Sequence, residues 1–248
     1  MFTRHRLRAA PARWGAWLLL CGSPAWAAHP LQTEDTGTQG QGNVEIEKGL
    51  SWTRSAGTTV FAFQPQLSYG LTPALDLIVQ PSWQRQPGVR GFGDTALDAK
   101  WRFFAVPGWS LGLRAGASVS SGDARLGLPR GTLQPHGLLV ATVSDGPWTL
   151  HANLGLDRNP AASGLRRHVA HASAAVVWAA ADGLAWTLDV GTSSDPDPAR
   201  RAWPATLLTG FIYTLTPHLD ADLGYQRSAN ARPASRQWLL GLTYRFST

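Results

Sequence analysis

The chain has 248 residues and a formal net charge of +6, from 22 Lys and Arg against 16 Asp and Glu. Four arginines lie within the first thirteen residues, which leaves 18 basic against 16 acidic residues elsewhere. Charge therefore does not indicate a nucleic-acid partner, and no nucleic-acid motif is present. The single cysteine, Cys21, lies near the N-terminus, so disulfides and thiol catalysis are excluded from the rest of the chain.

Residues 1–27 are predicted to be a signal peptide that is cleaved on export. Four arginines precede an apolar stretch, Trp14–Gly22, which is too short to cross a bilayer as a helix. Ala25-Trp26-Ala27 then fits a cleavage site, so we expect the mature chain to begin at residue 28. A lipoprotein site at Cys21 is disfavoured because the preceding residue, Leu20, is not small.

Residues 28–42 lack periodicity, and we predict a flexible N-terminal periplasmic arm there. From residue 43 to the C-terminus, apolar and polar residues alternate in segments long enough for tilted strands to cross a bilayer. Strands of soluble sandwiches are usually shorter. We predict twelve strands, near 43–54, 58–69, 75–85, 94–104, 109–120, 136–145, 148–157, 167–179, 184–194, 203–215, 219–228 and 236–246.

The predicted connections are short and long in alternation. Tight turns such as 70–74 and 146–147 alternate with longer loops such as 86–93 and 121–135, and only the first hairpin, at 55–57, departs from this rule. Short turns at one end and long loops at the other are typical of outer-membrane barrels. An even number of strands places both chain ends on the short-turn, periplasmic side.

The distribution of tryptophan favours a barrel in lipid over a soluble β-protein. Aromatic residues near the predicted strand ends form two groups, as expected for the two headgroup levels of a bilayer. These predicted membrane-interface aromatics are Trp52, Tyr69, Trp83, Trp101, Trp109, Trp148, Trp178, Trp186, Trp203, Tyr213, Tyr225 and Trp238. The fold class is therefore all-β: a closed antiparallel up-and-down transmembrane β-barrel of about twelve strands, over residues 43–248.

Three residues break the pattern. Lys48 falls on the outward, apolar face of the first strand, where a lysine at the bilayer midplane costs about 2–4 kcal/mol. We expect a bulge there, or a register that brings Lys48 nearer to an interface. Pro65 and Pro81 lie inside the second and third strands at similar distances from their shared turn. Neither can donate to the ladder, so we expect a paired bulge or bend, with a gate as the less favoured interpretation.

The inward face carries charged residues, which must pair or contact water in the lumen. They admit two interpretations: a structural network of ion pairs, or a polar path with a mild preference for cations. Asp98, Lys100 and Arg102 alternate along one strand and line up on its wall. The lumen-lining candidates are Glu45, Glu47, Asp76, Asp98, Lys100, Arg102, Arg114, His151, Asp157, Asp189, Asp220, Asp222 and Arg245.

Three stretches resemble one known family. "HPLQTEDTGTQGQG" (29–42), "YGLTPALDL" (69–77) and "GFGDTALDAKWRFF" (91–104) are similar to outer-membrane barrels assigned to a meta-cleavage (MetA) pathway of phenol degradation. The resemblance is strongest over residues 28–104, and Pro73 departs from the polar or acidic turn residue that the family leads us to expect. It implies an outer-membrane channel or transporter that admits small aromatic or other hydrophobic compounds.

The function that we predict is passive passage of small solutes, without enzyme activity and without cofactor or metal. An outer-membrane lipase- or protease-like enzyme is one alternative, since His171 and Ser173 share a face, as do His151 and Asn153. Neither pair suits a direct nucleophile and base, and no G-x-S-x-G elbow is present. A structural or adhesin barrel is the other alternative, although its loops are short. The arm lacks the length of a plug domain, and it either enters the lumen or is disordered.

The expected partners follow from the predicted location in the outer membrane of a Gram-negative bacterium. The predicted loops hold an excess of arginine, which suits the phosphates of outer-membrane lipid and lipopolysaccharide. The last strand, "WLLGLTYRF", ends in aromatic residues that we expect the barrel-assembly machinery to recognise. Tyr244 and Phe246 are the candidate assembly signal, although Ser247 and Thr248 follow them.

Overall fold

The computed structural model describes residues 29–230 and 234–246. The predicted signal peptide and the final two residues lie outside the described residues. The described chain forms fourteen strand segments: β1 (Val44–Ser55), β2 (Thr58–Thr72), β3 (Leu75–Gln80), β4 (Trp83–Gln86), β5 (Val89–Phe92), β6 (Thr95–Val106), β7 (Trp109–Val119), β8 (Leu133–Asp145), β9 (Trp148–Arg158), β10 (His168–Ala181), β11 (Leu184–Ser193), β12 (Ala205–Thr216), β13 (Leu219–Ser228) and β14 (Ser235–Phe246).

The segments form one closed antiparallel barrel. β1 pairs with β2 on one side and with β14 on the other, so the first and last strands close the sheet. β3 and β4 together make the third strand of the barrel, and β5 and β6 make the fourth. The barrel therefore has twelve strands, as predicted, and their bounds lie within a few residues of the predicted ones.

Two ends of the barrel differ in their connections. Turns such as 73–74, 146–147 and 217–218 join strands at what we call the turn end, and longer segments such as 120–132 and 194–204 join them at the loop end. The prediction of a long loop over 86–93 is wrong. Gln86 pairs with Val89, so these residues form the β4–β5 hairpin around a two-residue turn. Gly88, at a φ of 80° in that turn, supplies the left-handed backbone that the turn requires.

The two prolines interrupt one ladder without shifting its register. β2 pairs with β3 up to Leu67–Val79 and resumes with β4 at Phe63–Trp83, and this common register sets Pro65 directly opposite Pro81. Since neither proline carries an N–H, the pair cannot exchange backbone hydrogen bonds. The expected interruption is present, but the expected bulge at the prolines is absent. On the next strand, the three residues 93–95 lie opposite the two residues 81–82, so the register shifts there by one residue.

Lys48 lies on the outer face of β1, and the expected bulge beside it is absent. β1 pairs continuously with both neighbours, in a register that sets Lys48 opposite Leu242 on β14 and Pro65 on β2. The lysine is exposed and lies near the middle of its strand. Register in β1 is fixed instead by Glu45 and Glu47, whose side chains face inward and are buried.

Alternation places apolar side chains outside and polar side chains inside. On β9, for example, Leu150, Leu154 and Leu156 are exposed, whereas His151 and Asn153 between them are buried. This is the reverse of a soluble barrel and matches a barrel whose outer face contacts lipid. The described residues contain no helix long and apolar enough to span a membrane.

Candidate functional site: the lumen and its N-terminal arm

The N-terminal arm, residues 29–43, lies inside the barrel and follows its inner wall. Pro30 contacts Gly210 and Gly224 on β12 and β13, and the chain then passes β11, β9, β8 and β7. It returns past β3 to reach β1. Of the two alternatives that the sequence left for the arm, the lumen is the one that the structure shows.

Wall side chains hold the backbone of the arm at several points. Asp189 on β11 accepts hydrogen bonds from the amides of Gln32 and Thr33, at 2.7 and 2.8 Å. Asn153 on β9 accepts from the amide of Glu34 and donates to its carbonyl, at 2.7 and 2.8 Å. The arm is not paired in the sheet, so these wall side chains supply the hydrogen-bond partners that its backbone groups need.

Further contacts continue toward the turn end. The Thr36 amide donates to the hydroxyl of Thr142 at 3.1 Å, and the Thr36 and Ser110 hydroxyls are hydrogen-bonded to each other. The Gln39 amide then donates to the carboxylate of Asp76 at 3.1 Å. The arm is thus bound to the wall along its whole length.

Glu34 connects the arm to two basic residues of the wall. Its carboxylate accepts from Lys100 Nζ on β6 at 3.1 Å and from Arg114 Nη1 on β7 at 2.5 Å. Arg114 also reaches Asp98 at 2.7 Å, and His136 contacts the other oxygen of Asp98 at 2.7 Å. One arginine therefore bridges an arm carboxylate and a wall carboxylate in a buried network, whose members depend on each other.

Three further ion pairs lie near the seam where β14 meets β1. Arg245 donates to Glu45 at 2.9 Å and to Asp220 at 2.8 Å, so one guanidinium joins β14, β1 and β13. His29, at the start of the described arm, pairs with Asp222 on β13. Of these, the Arg245–Glu45 pair crosses the seam that closes the barrel, in addition to its backbone ladder.

The arm separates two luminal cavities. A cavity of about 360 Å³ lies on its loop side, between residues 29–34 of the arm and Glu47, Gln64 and Gln66 of the wall. A second cavity, of about 540 Å³, lies on its turn side and is lined by residues 35–38 and His151 among others. Each cavity could hold a small solute, and the arm with its Glu34 contacts lies between them.

Carboxylates outnumber bases around these cavities. The inner wall holds the eight carboxylates predicted from the sequence, and Glu34 and Asp35 of the arm add two more. The bases among the same groups are Lys100, Arg102, Arg114 and Arg245. This excess of negative charge favours cations in the lumen.

The predicted lumen-lining residues differ in their surroundings. Most are buried on the inner wall, but Asp157 lies near the loop end and is only partly covered, 3.6 Å from His171. Arg102, two residues beyond Lys100 on β6, lines the turn-side cavity. The β6–β7 pairing shifts between Trp101 and Phe104, and Arg102 bonds the Pro73 carbonyl at the turn end, at 3.1 Å.

Sequence reasoning missed the luminal residues of the arm. His29, Glu34 and Asp35 lie in a segment without periodicity, for which the sequence predicts no contact with the wall, yet each pairs with a wall residue. His136, at the loop end of β8, is not among the predicted lumen residues, although its imidazole lies 2.7 Å from Asp98. Two adjacent acids in an otherwise uncharged arm, opposite Lys100 and Arg114, were the signal that could have placed Glu34.

The predicted interface aromatics lie outside the barrel in two belts. At the turn end, Trp148 and Trp178 stack with their centroids 5.6 Å apart. At the loop end, Trp52 contacts Phe61 at 5.3 Å, and Tyr225 contacts Trp238 at 4.8 Å. Trp203 lies in a loop. The members within strands are Trp52, Tyr69, Trp83, Trp101, Trp109, Trp148, Trp178, Trp186, Tyr213, Tyr225 and Trp238.

The residues considered for an enzyme have other partners. His151 is hydrogen-bonded to Thr142 at 3.0 Å, and Asn153 holds the arm. His171 lies near Asp157, and no side-chain hydrogen bond joins it to Ser173 within the described chain. In that same part of the chain, no group of three or more His, Cys, Asp or Glu could hold a metal ion.

The comparison with protein families decides the relationship that the motifs suggested. The family model described as "Putative MetA-pathway of phenol degradation" matches residues 27–246. The chain belongs to this family. The match confirms the resemblance and extends it over the C-terminal strands, where the motifs were weaker. No curated protein matches the sequence.

Solved structures share the fold at low sequence identity. A COG4313 outer membrane channel from Pseudomonas putida F1 matches with a TM-score of 0.67 and 14% identity, over 88% of this chain and 99% of that chain. A NanC porin matches with a TM-score of 0.61 and 9% identity, over 80% of this chain and 98% of that chain. A KdgM porin matches with a TM-score of 0.58 and 10% identity, over 82% of this chain and 99% of that chain. This chain therefore has the fold of porins and outer-membrane channels.

Proposed function

We propose that this barrel is an outer-membrane channel for passive passage of small solutes, with a preference for cations. The observation that carries the proposal is the lumen, whose charged wall encloses two cavities of about 360 and 540 Å³. Charged side chains facing a space within a membrane barrel indicate contact with water and ions. Export through cleavage of residues 1–27 and location in the outer membrane of a Gram-negative bacterium belong to this proposal.

The arm controls the passage in this proposal. Residues 33–36 lie between the two cavities and are bonded to the wall through Asp189, Asn153, Thr142 and Ser110. A solute larger than water would have to displace them. We therefore expect small or infrequent conductance while the arm stays in place.

A reversible disulfide tests this role of the arm. Thr36 and Ser110 are in hydrogen-bond contact, so Thr36→Cys with Ser110→Cys is placed to form a disulfide between arm and wall. In planar bilayers we expect the oxidised protein to conduct least, and a reductant to restore the conductance of the wild type. The matched control is Ser144→Cys with Thr149→Cys, whose hydroxyls lie 3.2 Å apart on neighbouring wall strands and involve no arm residue.

The outcomes separate the parts of the proposal. Equal conductance of the Thr36–Ser110 variant before and after reduction would show that the arm need not move. A change of the same size in the wall control would assign the effect to the barrel. If neither ion current nor solute uptake into liposomes appears in any form of the protein, the channel itself is ruled out.

Passage of a small aromatic or hydrophobic compound is the second candidate. Two observations favour it: the family's description refers to phenol degradation, and the Pro65–Pro81 pair interrupts a ladder beside the loop-side cavity. Gln64, Gln66 and Gln80 flank the interruption and line that cavity. A compound could leave the lumen there for the bilayer.

Uptake of an apolar dye into liposomes tests this second route. Pro81→Val restores an N–H to the ladder, and we expect it to lower dye uptake while leaving ion conductance unchanged. Pro73→Val in a turn is the control. If Pro81→Val and the wild type take up the dye equally, the interruption has no part in transport.

A further inference from the structure

One sector of the outer wall carries arginines in directly opposed positions. Arg227 on β13 pairs in register with Arg236 on β14, which in turn faces Arg54 on β1. Arg85 on β4 faces Arg90 on β5. All five are exposed. On its strand, each arginine is two residues from an outward-facing aromatic residue and lies nearer to the loop end than that residue.

This sector lacks negative charge of its own. Of its strands, only β1 and β13 carry carboxylates, and all four of these acids point into the lumen and are buried. None of the five arginines forms an ion pair within the described part of the chain. Like charges directly opposite each other destabilise a sheet, so an external anion between them would stabilise the arrangement.

Below the arginines lies a floor of aromatic rings. Phe61 contacts Trp52 at 5.3 Å and Trp83 at 6.0 Å, across β1, β2 and β4. Pairing of β2 with β4 ends at Phe61–Arg85, and beyond it a cleft of about 850 Å³ opens between the two hairpin tips. The cleft is lined by the three rings and by Arg85 and Arg90.

We propose that this cleft binds the phosphorylated lipid A part of lipopolysaccharide. Guanidinium groups bind phosphate in a bidentate manner, and aromatic rings at the headgroup level pack against sugar and acyl chains. The position, at the loop end and on the lipid-facing wall, suits a lipid rather than a solute from the lumen. The inference depends on the location in the outer membrane and is independent of transport.

The opposite side of the barrel provides a matched control. Arg158 on β9 is also exposed at the loop end, opposite His168 on β10, but no aromatic floor lies beside it. If charge alone attracted lipid, Arg158 would contribute as much as an arginine of the cleft.

The test is binding of defined lipid A to the purified full-length mature barrel, measured by native mass spectrometry. We expect Arg85→Ser with Arg90→Ser to lower affinity for bisphosphorylated lipid A by about tenfold or more, and Arg158→Ser to leave it unchanged. Arg85→Lys with Arg90→Lys, which keeps the charge and loses the bidentate geometry, should give an intermediate loss. Heat-modifiable mobility in gels establishes that each variant is folded.

Three results would overturn the proposal. One is unchanged binding by the folded Arg85→Ser, Arg90→Ser variant, and another is an equal loss in Arg158→Ser. The third concerns the ligand: dephosphorylated lipid A binding as tightly, or millimolar inorganic phosphate displacing the lipid completely, would show that the phosphorylated lipid is not what the cleft recognises. The channel could still conduct in each of these cases, so failure here does not affect the transport proposal.

Discussion

Lys48 places an ammonium group on the lipid-facing wall near the middle of β1. Its neighbours in register are Leu242 and Pro65, and no bulge turns it away from the bilayer. The inward facing of Glu45 and Glu47 fixes the register, and the strict alternation of a strand then sends Lys48 outward. The free-energy cost of Lys48 on the lipid-facing wall thus follows from the inward facing of Glu45 and Glu47.

Replacing this lysine should stabilise the barrel. We expect Lys48→Leu to raise the free energy of unfolding in lipid vesicles by about 2–4 kcal/mol, the cost of a lysine at the bilayer midplane. Denaturant titration measures it. Arg54→Leu, on the same face but near the rim, is the control and should gain about 0–1 kcal/mol. Equal gains would mean that Lys48 already reaches the aqueous interface.

The pair of Glu34 and Lys100 should show strong coupling. Lys100 is 7% exposed and its ammonium lies 3.1 Å from the Glu34 carboxylate. Lys100→Met leaves this carboxylate with Arg114 alone, whereas Glu34→Gln with Lys100→Met removes both charges. A double-mutant cycle on unfolding should give a coupling energy of about 0.5–3 kcal/mol. Additive effects would mean that water in the lumen screens the pair.

Among the elements, β14 combines closure of the barrel with the predicted assembly signal. It pairs with β1 from Ser55–Ser235 to Val44–Phe246, and Arg245 adds ion pairs to β1 and β13. Phe246 is 48% exposed and contacts Tyr244 with ring centroids 4.5 Å apart. The last strand therefore presents a terminal aromatic pair on the outer wall, where another protein could contact it.

Loss of this aromatic should impair assembly more than loss of the tail. We expect Phe246→Ala to reduce the amount of folded barrel in the outer membrane severalfold, because it removes the group that the machinery would recognise. Deletion of residues 247–248 should have a smaller effect. Quantitative immunoblots of outer-membrane fractions measure both, and equal reductions would contradict the role of Phe246.

At the scale of the whole molecule, the lumen concentrates negative charge that no single strand reveals. Glu47 has Gln66 as its side-chain hydrogen-bond donor, at 2.9 Å, and faces the loop-side cavity. Asp157 lies nearer the loop end with His171 at 3.6 Å. These two acids lie toward the loop side of the arm, where ions entering from that end would first meet them.

Their removal should weaken cation preference. We expect Glu47→Gln with Asp157→Asn to shift the reversal potential in a salt gradient toward zero, since the carboxylates attract cations into the lumen. Asp182→Asn, in a turn outside the barrel, is the control and should leave the potential unchanged. A wild type that prefers anions would contradict the electrostatic argument as a whole.

The sequence alone determined the barrel. Period-two alternation, strand length and alternating connections predict twelve strands and their facing, because each depends on residues close together in the chain. The sequence-based prediction is wrong at residues 86–93, where the strands continue as the β4–β5 hairpin. It places Lys48 correctly on the outer face, but the bulge expected beside that residue is absent.

Only the tertiary structure decided where the arm lies and what the lumen contains. The arm has no periodicity, so its conformation is set by wall residues such as Asp189 and Asn153, more than a hundred positions away in sequence. The arginine sector is likewise assembled by closure, which brings β13 and β14 beside β1. Alternation within a strand can be read from the sequence, whereas contacts across a closed barrel depend on a register that the closing seam fixes.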